Sequence, residues 1–287
     1  MPEAQAKIVW RAPGGTLGEL VASATQRAVE LAHREAEWHE RALRAPAAPS
    51  LASALRRGDV AVIAEVKRSS PSKGAINPGL DAVAQARAYE RGGAAAVSVL
   101  TEPERFGGSA ADLERVAAAV RIPALKKDFH VAPVQLLEAR ALGAAAALLI
   151  ARALAPEQLA DLVAAGRSVG LELLVEVRDE DELDSALAAG AQIVGVNNRN
   201  LETLVIDPST SDRIVPLIPG AIPAIAESGI GGRADVARFA AAGADAVLVG
   251  SVLSASPDPA TAVAELTGVP VRREARDGDA RRDARRD

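Results

Sequence analysis

The 287-residue chain contains no cysteine and only three histidines, His33, His39 and His130. Without cysteine there is no disulfide, no thiolate zinc site and no thiol nucleophile, and three scattered histidines are a poor basis for a metal centre. Acid–base work therefore falls to Lys, Glu, Asp, Ser and Asn, and neither a metal nor a cofactor is expected. Aromatic residues make up 2% of the chain and the net charge is −5, so there is neither a basic face nor a stacking platform for nucleic acid. No stretch approaches ~20 uninterrupted apolar residues, and the start, MPEAQAKIVWRAPGG, lacks the basic-then-apolar order of a signal peptide. The expectation is a soluble cytoplasmic protein with no membrane or nucleic-acid partner, either a monomer or a weak homodimer.

What is present is apolar content of 49%, enough to bury a full α/β core. The two ends differ from the middle. Leu17, Leu20, Val21, Ala24, Ala28, Leu31 and Ala32 recur at helical spacing, and the pattern runs out in a Pro-rich stretch at residues 45–50. Residues 1–50 thus read as an extension built on one amphipathic helix. At the other end, residues 272–287 carry seven Arg against five Asp/Glu and no apolar residue larger than alanine. Residues 271–287 are therefore expected to be a disordered charged tail that is dispensable for stability.

Residues 51–270 repeat. GGAAAVSVL from Gly92, GAAAALLI from Gly143, AGAQIVGVN from Ala189 and AGADAVLVGS from Ala242 each place an apolar strand after a small-residue turn, about 50 residues apart. One further apolar run belongs to each period: VAVIAEVK from Val60, IPALKKDF from Ile122, LELLVEV from Leu171 and IPAIAESG from Ile222. Ala-rich amphipathic helices ending at Gly separate these runs. Eight strand–helix units predict a single (β/α)8 TIM barrel with an extra N-terminal helix; an open doubly wound sheet is the alternative, and the even period favours closure.

In a barrel, residues just past each strand share one mouth. The odd strands end on Glu65 and Lys67, on Lys126, Lys127 and Asp128, on Glu176 and on Glu227. The even ones end on Thr101, on Ala151 and Arg152, on Asn197 and Arg199, and on Gly250 and Ser251. Singly, each charge is an ordinary solvated loop residue; together, Lys and Glu at the ends of the odd strands indicate acid–base chemistry. Strand alternation turns Lys126 away from the mouth if Lys127 faces it. AESGIGGRAD and LVGSVL follow strands seven and eight, where barrels bind phosphate, so Ser228, Gly229, Gly250 and Ser251 are the candidate phosphate donors.

EVKRSSPSKG, LKKDF, LLVEV, GVNNRNLETL, AESGI and LVGS, in this order, resemble the indole-3-glycerol phosphate synthase family from about Leu17 to Gly268. The resemblance implies closure of an indole ring on a phosphorylated small-molecule substrate, 1-(o-carboxyphenylamino)-1-deoxyribulose 5-phosphate, with loss of carbon dioxide and water and with no cofactor. It implies catalytic roles for Lys127 as acid, Glu176 as base, and Lys67, Glu65 and Asn197. It further implies substrate contacts from Ser70, Arg199 and Glu227. The ring also needs an apolar wall, for which Phe106 and Phe129 lie beside the charged loops. Two alternatives remain open at this point. One is another sugar-phosphate barrel, such as a phosphoribosylanthranilate isomerase, which would not need both EVKRSSPSKG and KKDF. The other is a noncatalytic phosphate-ligand sensor, which would be expected to lose one of the charged strand ends.

Overall fold

Parallel strands buried on both faces need near-continuous apolar runs, and the eight runs above become eight parallel strands. They are β1 Ala61–Val66, β2 Ala96–Leu100, β3 Ala124–Lys127, β4 Ala146–Ile150, β5 Glu172–Val177, β6 Ile193–Asn197, β7 Ala224–Glu227 and β8 Ala246–Val249. The computed structural model describes residues 10–277. Each strand pairs with the next, and β8 closes on β1 through Ala61–Ala246 to Ala64–Val249, so the sheet has no edge. The open-sheet alternative is thereby set aside.

Helices lie outside the barrel. Before β1 come α1 Gly15–Ala32, α2 Glu35–Arg44 and α3 Leu51–Ala54. The barrel helices are α4 Ala82–Arg91, α5 Ala110–Ala119, α6 Pro133–Ala141, α7 Pro156–Ser168, α8 Glu180–Ala188, α9 Ser209–Ile214 and α10 Arg233–Ala241. After β8 follow α11 Ser251–Ala255, α12 Pro259–Ala264 and a last turn, α13 Glu274–Asp277. Left-handed glycines such as Gly143 after α6 and Gly243 after α10, at φ +85° and +99°, stop the helices and turn the chain into the following strand. Among the described residues no helix is long and apolar enough to cross a membrane.

Two expectations are corrected. The single N-terminal helix is two: the chain breaks at Arg34 (φ −123°, ψ 24°), and α2 packs against α6 with Trp38 and Ala42 buried. The guanidinium groups of Arg34 and Arg41 lie 5.0 and 4.7 Å from the Trp38 ring centroid. The apolar stripe continues in register across the break, so periodicity alone gives no sign of it.

The second correction concerns the start of the tail. Residues 271–277 are docked on the barrel floor, away from the mouth, because Asp245 is buried there just before β8 and needs counter-charge. Asp245 Oδ2 accepts from Ala224 N (2.9 Å) and Arg276 Nη2 (2.7 Å), and Oδ1 pairs with Arg273. Arg276 Nη1 also donates to Ile222 O (2.9 Å), and Arg273 Nη2 to Arg57 O (3.1 Å). Residues 278–287 of the expected tail lie outside the described residues.

Removing one side of a buried ion pair strands the other charge at a cost of about 3–5 kcal/mol. Truncation after Val271 removes both cations from Asp245 and is expected to lower stability by about 3 kcal/mol in urea unfolding. Truncation after Asp277 spares them and is expected to leave the unfolding midpoint unchanged.

Candidate active site

The last inward-facing residues of the strands meet at the C-terminal mouth of the barrel. Lys127, at the end of β3, places its ammonium 2.9 Å from Glu176 Oε2 of β5 and 3.1 Å from Glu227 Oε2 of β7. Both carboxylates are buried. Burial alone pulls the Lys127 pKa down, but the charges of Glu176, Glu227 and Glu65 outweigh it and the net shift is upward, so the lysine is protonated throughout the neutral range. Glu227 is shifted upward by burial first, against the pull of Lys127 and with the push of Glu176 and Glu65. Asn197, the last residue of β6, donates to Glu176 Oε1 (2.8 Å) and accepts from Arg199 N (2.9 Å), locking carboxylate and loop together.

Glu65, next to the end of β1, pairs with Lys67 just beyond it. A buried polar network stands behind them. Ser254 Oγ donates to Glu65 O (2.9 Å) and accepts from Lys67 N (3.1 Å), and Tyr89 OH donates to Glu65 O (3.1 Å). Burial pushes the Tyr89 phenol up to about 12, so it remains a donor. Lys126, one residue before Lys127, lies outside the strand wall, paired with Glu138 of α6, as alternation requires.

The walls above the charges are apolar. Phe106 and Phe129 face each other at 6.3 Å between centroids, tilted by 40°. The Phe106 turn is shaped by buried Glu102, which accepts from the amides of Glu104, Arg105 and Phe106 at 3.0, 2.7 and 3.0 Å. The Phe129 turn is shaped by Asp128, which accepts from Thr101 Oγ1 (2.6 Å), from its neighbour's amide Phe129 N (2.8 Å) and from Arg27 of α1 (2.8 Å). Ser70 lies in a short hairpin, Ser69–Ser70 with Gly74–Ala75, tied to the Phe106 turn by Ser69 N to Phe106 O (3.2 Å).

At the far side, Ser228 and Gly229 adopt left-handed backbone, φ +67° and +77°, directly after β7. A serine in this region costs about 1 kcal/mol and persists where its surroundings impose it. Here Asn198, fully buried, donates its Nδ2 to Ser228 O (3.1 Å) and takes Ser211 N on its Oδ1 (2.9 Å). Gly250 and Ser251 follow β8 alongside.

These groups enclose a cavity of about 330 Å³. It is lined by Glu65, Lys67, Ser70, Phe106, Lys127, Phe129, Glu176, Asn197, Arg199, Glu227, Ser228, Gly229, Gly250 and Ser251, so every residue given a catalytic, substrate-binding or phosphate-binding role in the sequence reaches the same space. Thr16 and Leu20 of α1 contribute to the wall as well, which makes the N-terminal helix part of the site. Arg152 does not line this cavity.

The model of the family described as indole-3-glycerol phosphate synthase matches residues 18–266, the extension helix and the whole barrel. The chain belongs to that family. An indole-3-glycerol phosphate synthase of Streptomyces griseus subsp. griseus is 54% identical over 242 residues, which cover 83% of this chain and 90% of the relative. One of Mycolicibacterium vanbaalenii is 51% identical over 242 residues, covering 83% and 89%. Among solved structures, 3-hexulose-6-phosphate synthase from Salmonella typhimurium superposes with a TM-score of 0.59 at 14% identity, over 72% of this chain and 96% of that one. At that identity the likeness concerns the fold.

Several residues that shape the site carried no signal of their own. Asn198 acts through backbone groups of the Ser228 turn and of α9, and Gly195 acts by lacking a side chain. Gly195 lies opposite Glu176 in the ladder, and a Cβ there would run into Glu227 Oε1 and come within 3.1 Å of Leu174. At Gly250 a Cβ would run into Glu65 and come within 2.8 Å of Lys67 Nζ, so this glycine makes room for the ion pair as well as for an approaching anion.

Gly195→Ala is therefore expected to push Glu227 off Lys127 and, as overpacking, to cost about 1–3 kcal/mol in urea unfolding. Gly170→Ala is the reference for barrel glycines: nothing lies within 4 Å of its Cβ position, and its φ of +71° confines any cost to backbone strain. A Gly195→Ala loss no larger than the Gly170→Ala loss would mean that the carboxylate tolerates the methyl.

Proposed function

We propose that the protein converts 1-(o-carboxyphenylamino)-1-deoxyribulose 5-phosphate to indole-3-glycerol phosphate. The observation that carries this reading is a protonated Lys127, largely shielded from solvent, between two buried glutamates, below an aromatic pair and beside two anion-accepting turns. Closure joins the ring carbon that bears the carboxylate to the ketone carbon. The carbonyl electron pair moves to oxygen, which takes a proton from Lys127; an alkoxide is more basic than an amine, so the transfer is downhill. The bond to the carboxylate then breaks, its pair restores the aromatic ring, and carbon dioxide leaves.

The new hydroxyl leaves as water with one proton from an acid while a base removes one from the five-membered ring. Glu176 serves as that base. Lys67, oriented by Glu65, holds the substrate carboxylate and assists the dehydration. Arg199 has no ion-pair partner among the described residues, and burial lowers its pKa, so it gains most from an incoming anion or sugar hydroxyl. Phe106 and Phe129 form the apolar wall against which the aromatic ring lies, and Glu227 and Ser70 meet the sugar chain. Ser228, Gly229, Gly250 and Ser251 hold the phosphate, and this remote binding fixes the reacting end. A phosphoribosylanthranilate isomerase would share these turns but leaves the ring carboxylate in place and needs no acid to drive its loss.

The direct test is incubation of purified protein with the substrate, with indole fluorescence and released carbon dioxide as readouts. Dialysis against a strong chelator is expected to leave the rate intact, because the sequence offers no thiolate and few imidazoles. Lys127→Met is expected to lose at least ~100-fold in kcat with a smaller change in KM. Lys126→Met is expected to keep turnover but lower Tm, because it leaves Glu138 without its partner. Equal losses in kcat from the two variants would move the acid role to Lys67.

A further inference from the structure

The chemistry proposed above takes up one proton per turnover. The substrate enters as a carboxylate and loses it as neutral carbon dioxide, whereas the dehydration gives and takes protons in equal number. Lys127 delivers its proton to the ketone oxygen and must be reloaded, yet it is enclosed by strand ends below and by Thr16 and Leu20 of α1 above. With substrate filling the main cavity, that route to solvent is blocked.

A second cavity of about 130 Å³ lies behind Glu176. It shares Glu176, Asn197 and Arg199 with the first and runs beneath Leu17 of α1 to Arg152 and Glu202, whose side chains are 32% and 30% exposed. It is polar and has room for several water molecules. Glu182, in the first turn of α8, lines this cavity and not the main one. Its Oε2 accepts from Arg178 N (2.7 Å), while Asp179 Oδ1 accepts from Glu182 N (2.9 Å), so the side chain is held in place by the helix cap.

We propose that this side cavity is the proton entrance of the active site and that Glu182 is the relay that reloads Glu176 and, through it, Lys127. The proton passes from bulk water or a buffer acid to Glu182, across cavity water to Glu176, and over the 2.9 Å contact to Lys127 Nζ, with no bond changing other than those to the proton. Glu182 acts through Glu176 and does not touch substrate. The charged groups facing it come from three loops: Asp179 and Arg178 beside it, Arg152 after β4, and Arg199 and Glu202 after β6. Burial, then the negative charges of Asp179 and Glu176, hold the Glu182 carboxyl up at about 8, against the Arg178 amide and the Arg152 charge. The group therefore carries a proton at neutral pH and loses it as pH rises through about 8.

This inference rests on the reaction assigned above, and the test separates the two. Glu182→Gln keeps an acceptor for Arg178 N and removes the titrating proton; Glu182→Asp keeps a carboxyl. In the indole assay, kcat and KM are measured between about pH 6 and 9, at low and high imidazole buffer. Wild-type turnover that falls through about pH 8 and ignores buffer concentration is expected. Glu182→Gln is expected to lose about 10-fold in kcat with KM within about twofold, to lack the pH limb, and to recover with rising imidazolium. Glu182→Asp is expected to be insensitive to buffer. Unchanged kcat in Glu182→Gln, or a loss that imidazolium does not relieve, would overturn the relay while wild-type turnover upholds the reaction. Absence of wild-type turnover would overturn both.

Discussion

A lysine ammonium largely removed from water is tolerable only where negative charge and hydrogen-bond acceptors surround it, and Lys127 imposes that requirement on the barrel mouth. Glu176 and Glu227 must stand on strands that bracket β6, and β6 must then carry a residue with no side chain between them, which is Gly195. Asn197 at the end of the same strand holds the Glu176 carboxylate in place. Glu65 adds a third negative charge, and Lys67 returns a positive one. With Arg199 at the rim, three carboxylates face three cations, a balance that lets one proton move without leaving the cluster strongly charged.

The barrel by itself does not complete the site. Arg27 of α1 pairs with Asp128, which fixes the Phe129 turn, and with Glu102, which fixes the Phe106 turn, while Glu19 pairs with Arg105, so the extension helix bears on both sides of the aromatic wall. The start of α1 is pinned at the opposite rim: Gly14 N donates to Glu202 Oε1 (2.8 Å), which also pairs with Arg152. A carboxylate at a helix N-terminus is favourable by itself. Here it also fastens α1 to the loop that carries Arg199, so two ends of one helix set the geometry of two substrate-facing loops.

The barrel was legible because parallel strands bury both faces, leaving runs such as AVSVL and AALLI that no solvated segment would carry. The site was legible because catalytic groups in this fold cluster at strand ends, where Lys127, Glu176 and Glu227 interrupt apolar runs. The break at Arg34 was hidden because Trp38 and Ala42 continue the stripe of α1 in register. Asp245 was hidden because a short polar residue in GADAV reads as a turn, and its burial depends on arginines some thirty residues later. Side-chain-free positions such as Gly195 leave no pattern at all; only the position of Glu227 across the ladder reveals what they make room for.

The two ends of the barrel use the same materials to opposite effect. On the floor, both oxygens of Asp245 are taken, by Arg273 and by Arg276 with the Ala224 amide, so the carboxylate has nothing left to offer and serves the fold. At the mouth, Glu227 gives Oε2 to Lys127 while Oε1 has no hydrogen-bond partner among the described residues. Buried polar atoms are nearly always satisfied, and the exceptions gather where a ligand completes them. Burial holds the Glu227 carboxyl in an environment where charge is costly. Incomplete pairing there makes the mouth less stable than the floor could be, and this is the condition under which substrate binding and proton transfer have energy to gain.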